Sequence, residues 1–263
     1  DAAQEVSVRD VKLPGKHRPG TEERYGNKMV FTETTARGSA SIPFRLSYDI
    51  TRKELLGGSG TKISEKDREL FLSPNRLVPV GEKPGLIAAD WPDSTDPLER
   101  SLAIYEGVLQ HMQYDKSRPG FGRGDARWAC ESRFGNCTDF HSLFISIARG
   151  RKVPSRFEMG FPLPGDAREG TVGGYHCWAH FYVDGKGWIP LDISEADKHP
   201  SLRRYYFGNL SADRFSLSRG RDLVLSPPQS GPPLNYFVYP YVEVDGEVWP
   251  QEKIEKHFRF RDL

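Results

Sequence analysis

Gly135-Asn136-Cys137-Thr138-Asp139-Phe140-His141 sets a thiol at the point where an apolar helix begins. Behind it Phe140, Leu143, Phe144 and Ile147 recur at helical spacing. This predicts an amphipathic helix ending near Arg149-Gly150, where glycine takes the left-handed C′ conformation. An ordinary thiol, with a pKa of about 8.5, is mostly protonated at neutral pH. A helix N-terminus lowers that value through its partial positive charge and unpaired N–H groups. Cys137 is thus placed to act as a thiolate; the plainer reading is a buried structural cysteine.

Two later segments shift that balance. Gly174-Tyr175-His176-Cys177-Trp178-Ala179-His180-Phe181 reads as a strand running to Val183. His176, Trp178, His180 and Tyr182 share one face, and Cys177, Ala179, Phe181 and Val183 the other. After the turn signal Asp184-Gly185 comes Trp188-Ile189-Pro190-Leu191-Asp192-Ile193-Ser194, a second strand with a carboxylate. A thiol, an imidazole and a carboxylate are the parts of a thiol acyl-transfer site, in which the base needs a partner to orient it. A zinc site built from His176 and His180 is set aside, because four residues of strand separate them by about 13 Å.

Register supplies a structural condition. A two-residue turn at Gly185-Lys186 puts Asp192 on the face opposite His176. An odd-numbered loop or a bulge between residues 183 and 188 brings both to one face, with Asp192 opposite Trp178 and diagonal to His176. His141, one helical turn after Cys137, and His180 compete for the role of base. Each reads more simply as a packed histidine or a supporting donor.

The 263 residues suffice for one large domain or a core with a smaller appendage. With 37 basic and 36 acidic side chains, nothing points to nucleic acid or an anionic membrane as a partner. No apolar run approaches the roughly 20 residues that span a bilayer, which predicts a soluble chain. Three cysteines leave at least one thiol unbridged; if that one is Cys137, Cys130 and Cys177 are the remaining pair. Asn136-Cys137-Thr138 and Asn209-Leu210-Ser211 match the N-glycosylation pattern, read as coincidence because a sugar on the first would crowd the thiol.

Residues 1 to about 25 read as an extended polar arm, and Lys28 to Ile50 as β structure. Leu70 to Pro92 reads as loop with a strand or two. Asp96-Pro97-Leu98-Glu99 predicts a helix with Asp96 as N-cap, Pro97 at the first position and Glu99 closing a capping box. Its core stripe is Leu98, Leu102, Tyr105, Leu109 and Met112. Arg156 to Phe161 reads as a strand, and Tyr236 to Trp249 as a hairpin about Asp245-Gly246.

The motifs Gly135-Asn136-Cys137, His176-Cys177-Trp178 and Leu191-Asp192, in this order and spacing, resemble those of the transglutaminase-like superfamily of papain-type cysteine enzymes. Arg127 to Arg156 and Tyr175 to His199 resemble bacterial exported members, and the match covers roughly residues 95 to 200. The resemblance implies Cys137 as nucleophile, His176 as general base and acid, and Asp192 as its orienting partner. It implies attack on an amide of a peptide or protein, a thioester intermediate, and release to water (peptidase or amidase) or to an amine (transglutaminase). It implies an exported protein, in keeping with a chain that starts at Asp1, and no cofactor or metal. His180 stands where relatives often carry an acidic residue. The Cys137 N–H is the natural first oxyanion donor. Trp128, Tyr114 and Trp178 are candidates for the oxyanion site or the substrate cleft.

The expected fold is therefore α+β, with a papain-like, transglutaminase-like core whose nucleophile helix packs on an antiparallel sheet. The core is expected over 93–263, with a C-terminal hairpin, after a β-rich N-terminal region over 1–92 that could restrict the substrate or recognise a polymer. A cleft rimmed by loops 117–128 and 161–174 is expected to expose Cys137. The competing function is a binding module on an inactive core.

Overall fold

The structure, a computed structural model, describes residues 3–36, 38 and 41–263. The ends of two sequence expectations, the arm at 1–2 and the alternation through 37, 39 and 40, lie outside the described residues.

The first fifty residues form two ribbons. β1 (Gln4–Lys12) pairs antiparallel with β4 (Arg45–Arg52), and β2 (Lys16–Thr21) with β3 (Lys28–Glu33). The polar arm is thus two strands, exposed over most of their length, Val6 and Val8 included. β5 (Leu55–Leu56) follows, then α1 (Glu65–Leu72) and α2 (Glu82–Ile87). α2, with the last residues of α1, stands where loop with a strand or two was expected over Leu70 to Pro92. Ser64 caps α1 by accepting the Asp67 N–H at 3.0 Å, and Phe71 packs edge-on against Trp188 at 4.9 Å. Pro84, read from sequence as a breaker, lies in the first turn of α2, where no N–H partner is required.

α3 (Pro97–His111) starts where the sequence places it, with Asp96 accepting the Leu98 N–H at 2.8 Å. Glu99 does not close a capping box: it accepts from Ser94 Oγ, which in turn accepts the Asp96 N–H. The buried face is Ser101, Ile104, Tyr105 and Val108, and Leu102 is 41 % exposed. Tyr105 turns the helix by packing on Phe207 and donating its hydroxyl to Arg203 C=O.

β6 (Gln113–Tyr114), α4 (Ala126–Ser132) and β7 (Phe134–Gly135) lead to α5 (Cys137–Gly150). β6 and β7 pair in parallel, Tyr114 beside Gly135. Asn136 and Asp139 form a reciprocal capping box at the start of α5. The helix is buried from Cys137 to Arg149, as befits one packed between layers. It ends in a Schellman motif: Val153 N–H bonds Ala148 C=O and Lys152 N–H bonds Arg149 C=O. The left-handed residue is Lys152, at φ 64°, two positions beyond the glycine expected from sequence.

Four antiparallel strands make the sheet under α5, in the order β11 (Gly187–Leu191), β10 (His176–Val183), β8 (Ser155–Pro162), β13 (Arg214–Arg219). Odd-numbered residues of β10 face α5, where Phe181 packs against Phe144 and stacks on Phe207. Burial of each such ring stabilises the fold by about 1.5–3 kcal/mol. β9 (Glu169–Thr171) interrupts the 161–174 loop, α6 (Ile193–Lys198) follows β11, and β12 (Asn209–Leu210) pairs with β5. The C-terminal hairpin is only β14 (Glu243–Val244) with β15 (Glu247–Val248); Pro240, which has no N–H to donate, precedes it. β16 (Arg259–Arg261) closes the chain against β9.

The β10–β11 hairpin pairs Val183 with Gly187 and Ala179 with Leu191 across a three-residue loop, 184–186. The odd loop is therefore present, and Asp192, one residue past β11, falls in line with Trp178 and diagonal to His176. Among the described residues no helix is long and apolar enough to cross a membrane.

Candidate active site

Cys137 is the first residue of α5, and the box that opens the helix also shapes its surroundings. The Asp139 carboxylate accepts N–H groups from Asn136 at 3.0 Å, Gly122 at 2.6 Å and Gly124 at 2.9 Å, tying the glycine loop to the start of the helix. Gly122, at φ 81°, can approach this closely because it carries no side chain to meet Asn136.

Cys137 is only 3 % exposed, contrary to the open cleft expected from sequence. Tyr175 Oη takes the Asn136 Nδ2–H at 3.1 Å and lies 3.3 Å from Thr138 Oγ1, so one phenol spans both neighbours of the thiol. Tyr236 and Tyr239 pack on its ring with centroids at 5.6 and 6.0 Å. Their segment is fastened by Asn235, which donates to Arg123 C=O and accepts from Arg221, and by the Tyr175 N–H to the Tyr239 hydroxyl. A proline-rich stretch with no periodicity thus packs on the phenol beside the thiol, and no local signal marks it.

His176 and Asp192 meet as the hairpin register allows. His176 Nε2 donates to Asp192 Oδ2 at 2.6 Å, which leaves the other ring nitrogen for the Cys137 thiol, its second hydrogen-bond partner. Asp192 is also the N-cap of α6, its Oδ1 accepting from Glu195 N–H at 3.0 Å and Ser194 Oγ at 2.9 Å. Arg214, not singled out in the sequence, donates Nη1 to Asp192 Oδ2 at 2.7 Å.

Charge is redistributed along this row. Burial alone would raise the Cys137 thiol, but hydrogen bonds from Cys177 and His176 and the charge on His176 hold it well below the ordinary range. Burial would lower His176; Asp192 and Cys137 outweigh it and push the imidazole up to about 9. Asp192, despite a burial penalty, is held well below the carboxylate range by His176 and Arg214. These opposed shifts favour the thiolate–imidazolium form over the neutral thiol–imidazole pair, with Asp192 as carboxylate.

Of the competing histidines, His141 borders the row, its Nε2 3.7 Å from Asp192 Oδ1, while His180 lies away from it. His141 is fully buried; its Nε2 accepts the Ile193 N–H at 3.1 Å, its Nδ1 lies 3.7 Å from Cys177 Sγ, and burial lowers its pKa. His180 is on the far face of the sheet, 3.7 Å from Glu158, and burial pushes it down to about 3. Trp178 is fully buried and donates its indole N–H to Glu158 Oε2 at 3.2 Å, so it lines no cleft and has no donor left for an oxyanion. Trp128 packs on Phe134 at 5.2 Å, beneath Arg123. Tyr114 lies between α5 and α6: its ring is 6.4 Å from Phe140, and its N–H bonds Asp197. All three cysteines are unbridged; Cys177 lies against Cys137 rather than in a pair with Cys130.

His176, Asp192 and Glu195 place three potential ligand atoms within 4.8 Å of one another. Their chemistry fits a metal poorly. Arg214 already occupies Asp192 Oδ2, the oxygen that His176 shares, so a cation there would face a guanidinium.

Residues 88–193 match the family model of the transglutaminase-like superfamily. An uncharacterized protein of Haemophilus influenzae is 30 % identical over 198 residues, 61 % of this chain and 54 % of its own length. The chain thus spans about half the length of the curated relative it matches. A solved structure of a candidate cysteine protease from Cytophaga hutchinsonii superposes with a TM-score of 0.52 at 17 % identity, covering 86 % of this chain and 82 % of that one. The periplasmic domain of TgpA from Pseudomonas aeruginosa gives 0.42 at 14 % identity, over 76 % of this chain and 89 % of its own. A thiol-bearing helix on an antiparallel sheet, together with the match over 88–193, supports a transglutaminase-like domain with a papain-like α+β core in this part of the chain.

Proposed function

We propose that the chain is a cysteine acyl-transfer enzyme acting on amide bonds of peptides or proteins. The observation that carries this reading is the continuous row from the lowered Cys137 thiol through His176, raised to about 9, to Asp192. The Cys137 thiolate attacks the amide carbonyl, and the negative charge that develops on oxygen is met by the Cys137 N–H at the head of α5. His176 gives its proton to the departing amine, leaving a thioester and a neutral imidazole. Water or a second amine then attacks the thioester while His176 takes back the proton, and the thiolate is restored. Hydrolysis or exchange on a peptide is favoured over strict cross-linking between proteins.

Tyr114 is our candidate for the second oxyanion donor. It pairs with Gly135, two residues before the thiol, and burial and the nearby Cys137 charge push its phenol up, so the hydroxyl keeps its proton. An exported setting belongs to this reading; fractionation of cells making the full-length protein tests it.

Iodoacetamide at pH 6 should label Cys137 stoichiometrically in the native protein and fail in His176→Ala. Incubation with a glutamine-bearing peptide and a primary amine then separates ammonia, cleaved peptide and amine adduct by mass. A thiol inert at pH 6 favours the second reading, a binding module on an inactive core. The burial of Cys137, 3 % exposed, is the observation in its favour.

A further inference from the structure

Asp192 has four lone-pair directions available as a carboxylate, and four donors take them. Oδ1 receives Ser194 Oγ–H and Glu195 N–H; Oδ2 receives His176 Nε2–H and Arg214 Nη1–H. The two donors on Oδ2 are both cations when His176 is protonated, and both lie within 2.7 Å of the same oxygen. Arg214 is 5 % exposed. Its guanidinium stands 5.2 Å from the Trp178 ring centre, and its buried Nε finds no hydrogen-bond partner among the described residues. A buried guanidinium is costly unless it is paired, so this side chain is held in place by Asp192 and the indole face.

We propose that Arg214 is a positioning residue for the reaction assigned above: it fixes the Asp192 carboxylate and offsets part of its charge, which sets how tightly His176 holds its proton. The inference rests on the role given to His176 in the proposed function. An Asp192 with no cation beside it would stabilise the imidazolium more strongly and hinder return of the proton. With Arg214 in place the acid and base forms of His176 lie closer in energy, as a group that must give a proton and take it back requires.

Other charged groups face these residues. Cys137 and His141 reach the row from α5, and Glu195 lies 3.7 Å from His176 Nε2 at the start of α6. The Tyr105 phenol from α3 also feels the Asp192 charge. Around Arg214 are the Arg52 guanidinium from β4 and the phenols of Tyr205 and Tyr206 after α6. None of these is a second cation hydrogen-bonded to Asp192, so Arg214→Met removes the offset without an evident substitute.

The test is an NMR titration of the His176 imidazole in the wild type, Arg214→Met and Arg214→Lys. The proposal expects His176 to rise by about one pH unit in the methionine variant, the smaller end of what one neighbouring charge does, and to return toward the wild-type value with lysine. If the methionine variant does not fold, Arg214→Gln, which keeps a donor but no charge, is expected to show the same rise. Coincident titrations in all the folded proteins, or a lower His176 value without the charge, overturn the proposal. The titration needs no substrate. A His176 that responds to Arg214 while no peptide is turned over refutes the enzymatic reading and leaves the electrostatic one standing.

Discussion

Asp192 Oδ2 lies 2.6 Å from His176 Nε2 while Asp192 Oδ1 caps the helix that follows, so one carboxylate serves the site and the fold together. Replacement separates the two duties. Asp192→Asn keeps a good N-cap but loses the charge; Asp192→Ala loses both. Both should reduce peptide turnover on the order of 10³–10⁴-fold, as expected when a base loses its orienting acid. The alanine variant should be the less stable by about 1 kcal/mol. Equal stability in a urea melt would contradict the capping duty.

Turnover should depend on pH in a way set by opposite shifts. His176 must be protonated to release the amine and is pushed up to about 9, so turnover falls as pH rises through about 9. On the acid side it falls as the Cys137 thiolate takes a proton, well below the ordinary thiol range. Alkylation of Cys137 needs only the thiolate, so its rate should persist above pH 9 where turnover declines. Parallel loss of both rates in alkali would contradict this assignment.

Cys177 acts on the thiol from the neighbouring strand. Burial raises its own pKa, so it stays protonated beside Cys137, its S–H shared between that thiol and Thr138 Oγ1 at 3.9 Å. A hydrogen bond to a charged group is worth about 1.5–3 kcal/mol. A thiol is a weak donor, so Cys177→Ala should slow alkylation of Cys137 at pH 6 by up to about tenfold. A rate within twofold of wild type would show that the thiolate does not depend on this donor.

His180 gives the contrasting case. It faces Glu158 on the far side of the sheet and is held neutral by burial, with a pKa of about 3. His180→Asn should leave Cys137 alkylation and turnover within about twofold, while loss of buried packing costs about 0.5–3 kcal/mol of stability. A large fall in turnover without unfolding would reopen its role as base.

The sequence was most legible where a residue's setting is local. Cys137 sits behind its own cap, His176 and Cys177 fall on alternating sides of one strand, and the parity of the 184–186 loop settles the face of Asp192. Arg214 gave no such sign: it reaches Asp192 across 22 residues, from a strand whose composition suits an exposed edge. The packing on the Tyr175 phenol was equally hidden, because Tyr236 and Tyr239 lie in an irregular segment placed by Asn235, Arg123 and Arg221. α2 was missed because Pro and Gly were counted as breakers, although Pro84 lies in a first turn that tolerates proline.

The double duty of Asp192 bears on how this chain can diverge. A descendant that gave up chemistry could lose Cys137 or His176 with little harm to α6, but losing Asp192 would uncap that helix and strand the Arg214 charge. Drift should therefore erase the thiol or the imidazole first and spare the acid. Among homologues, a retained aspartate at this position reports an intact scaffold, and only the Cys137–His176 pair reports a working one.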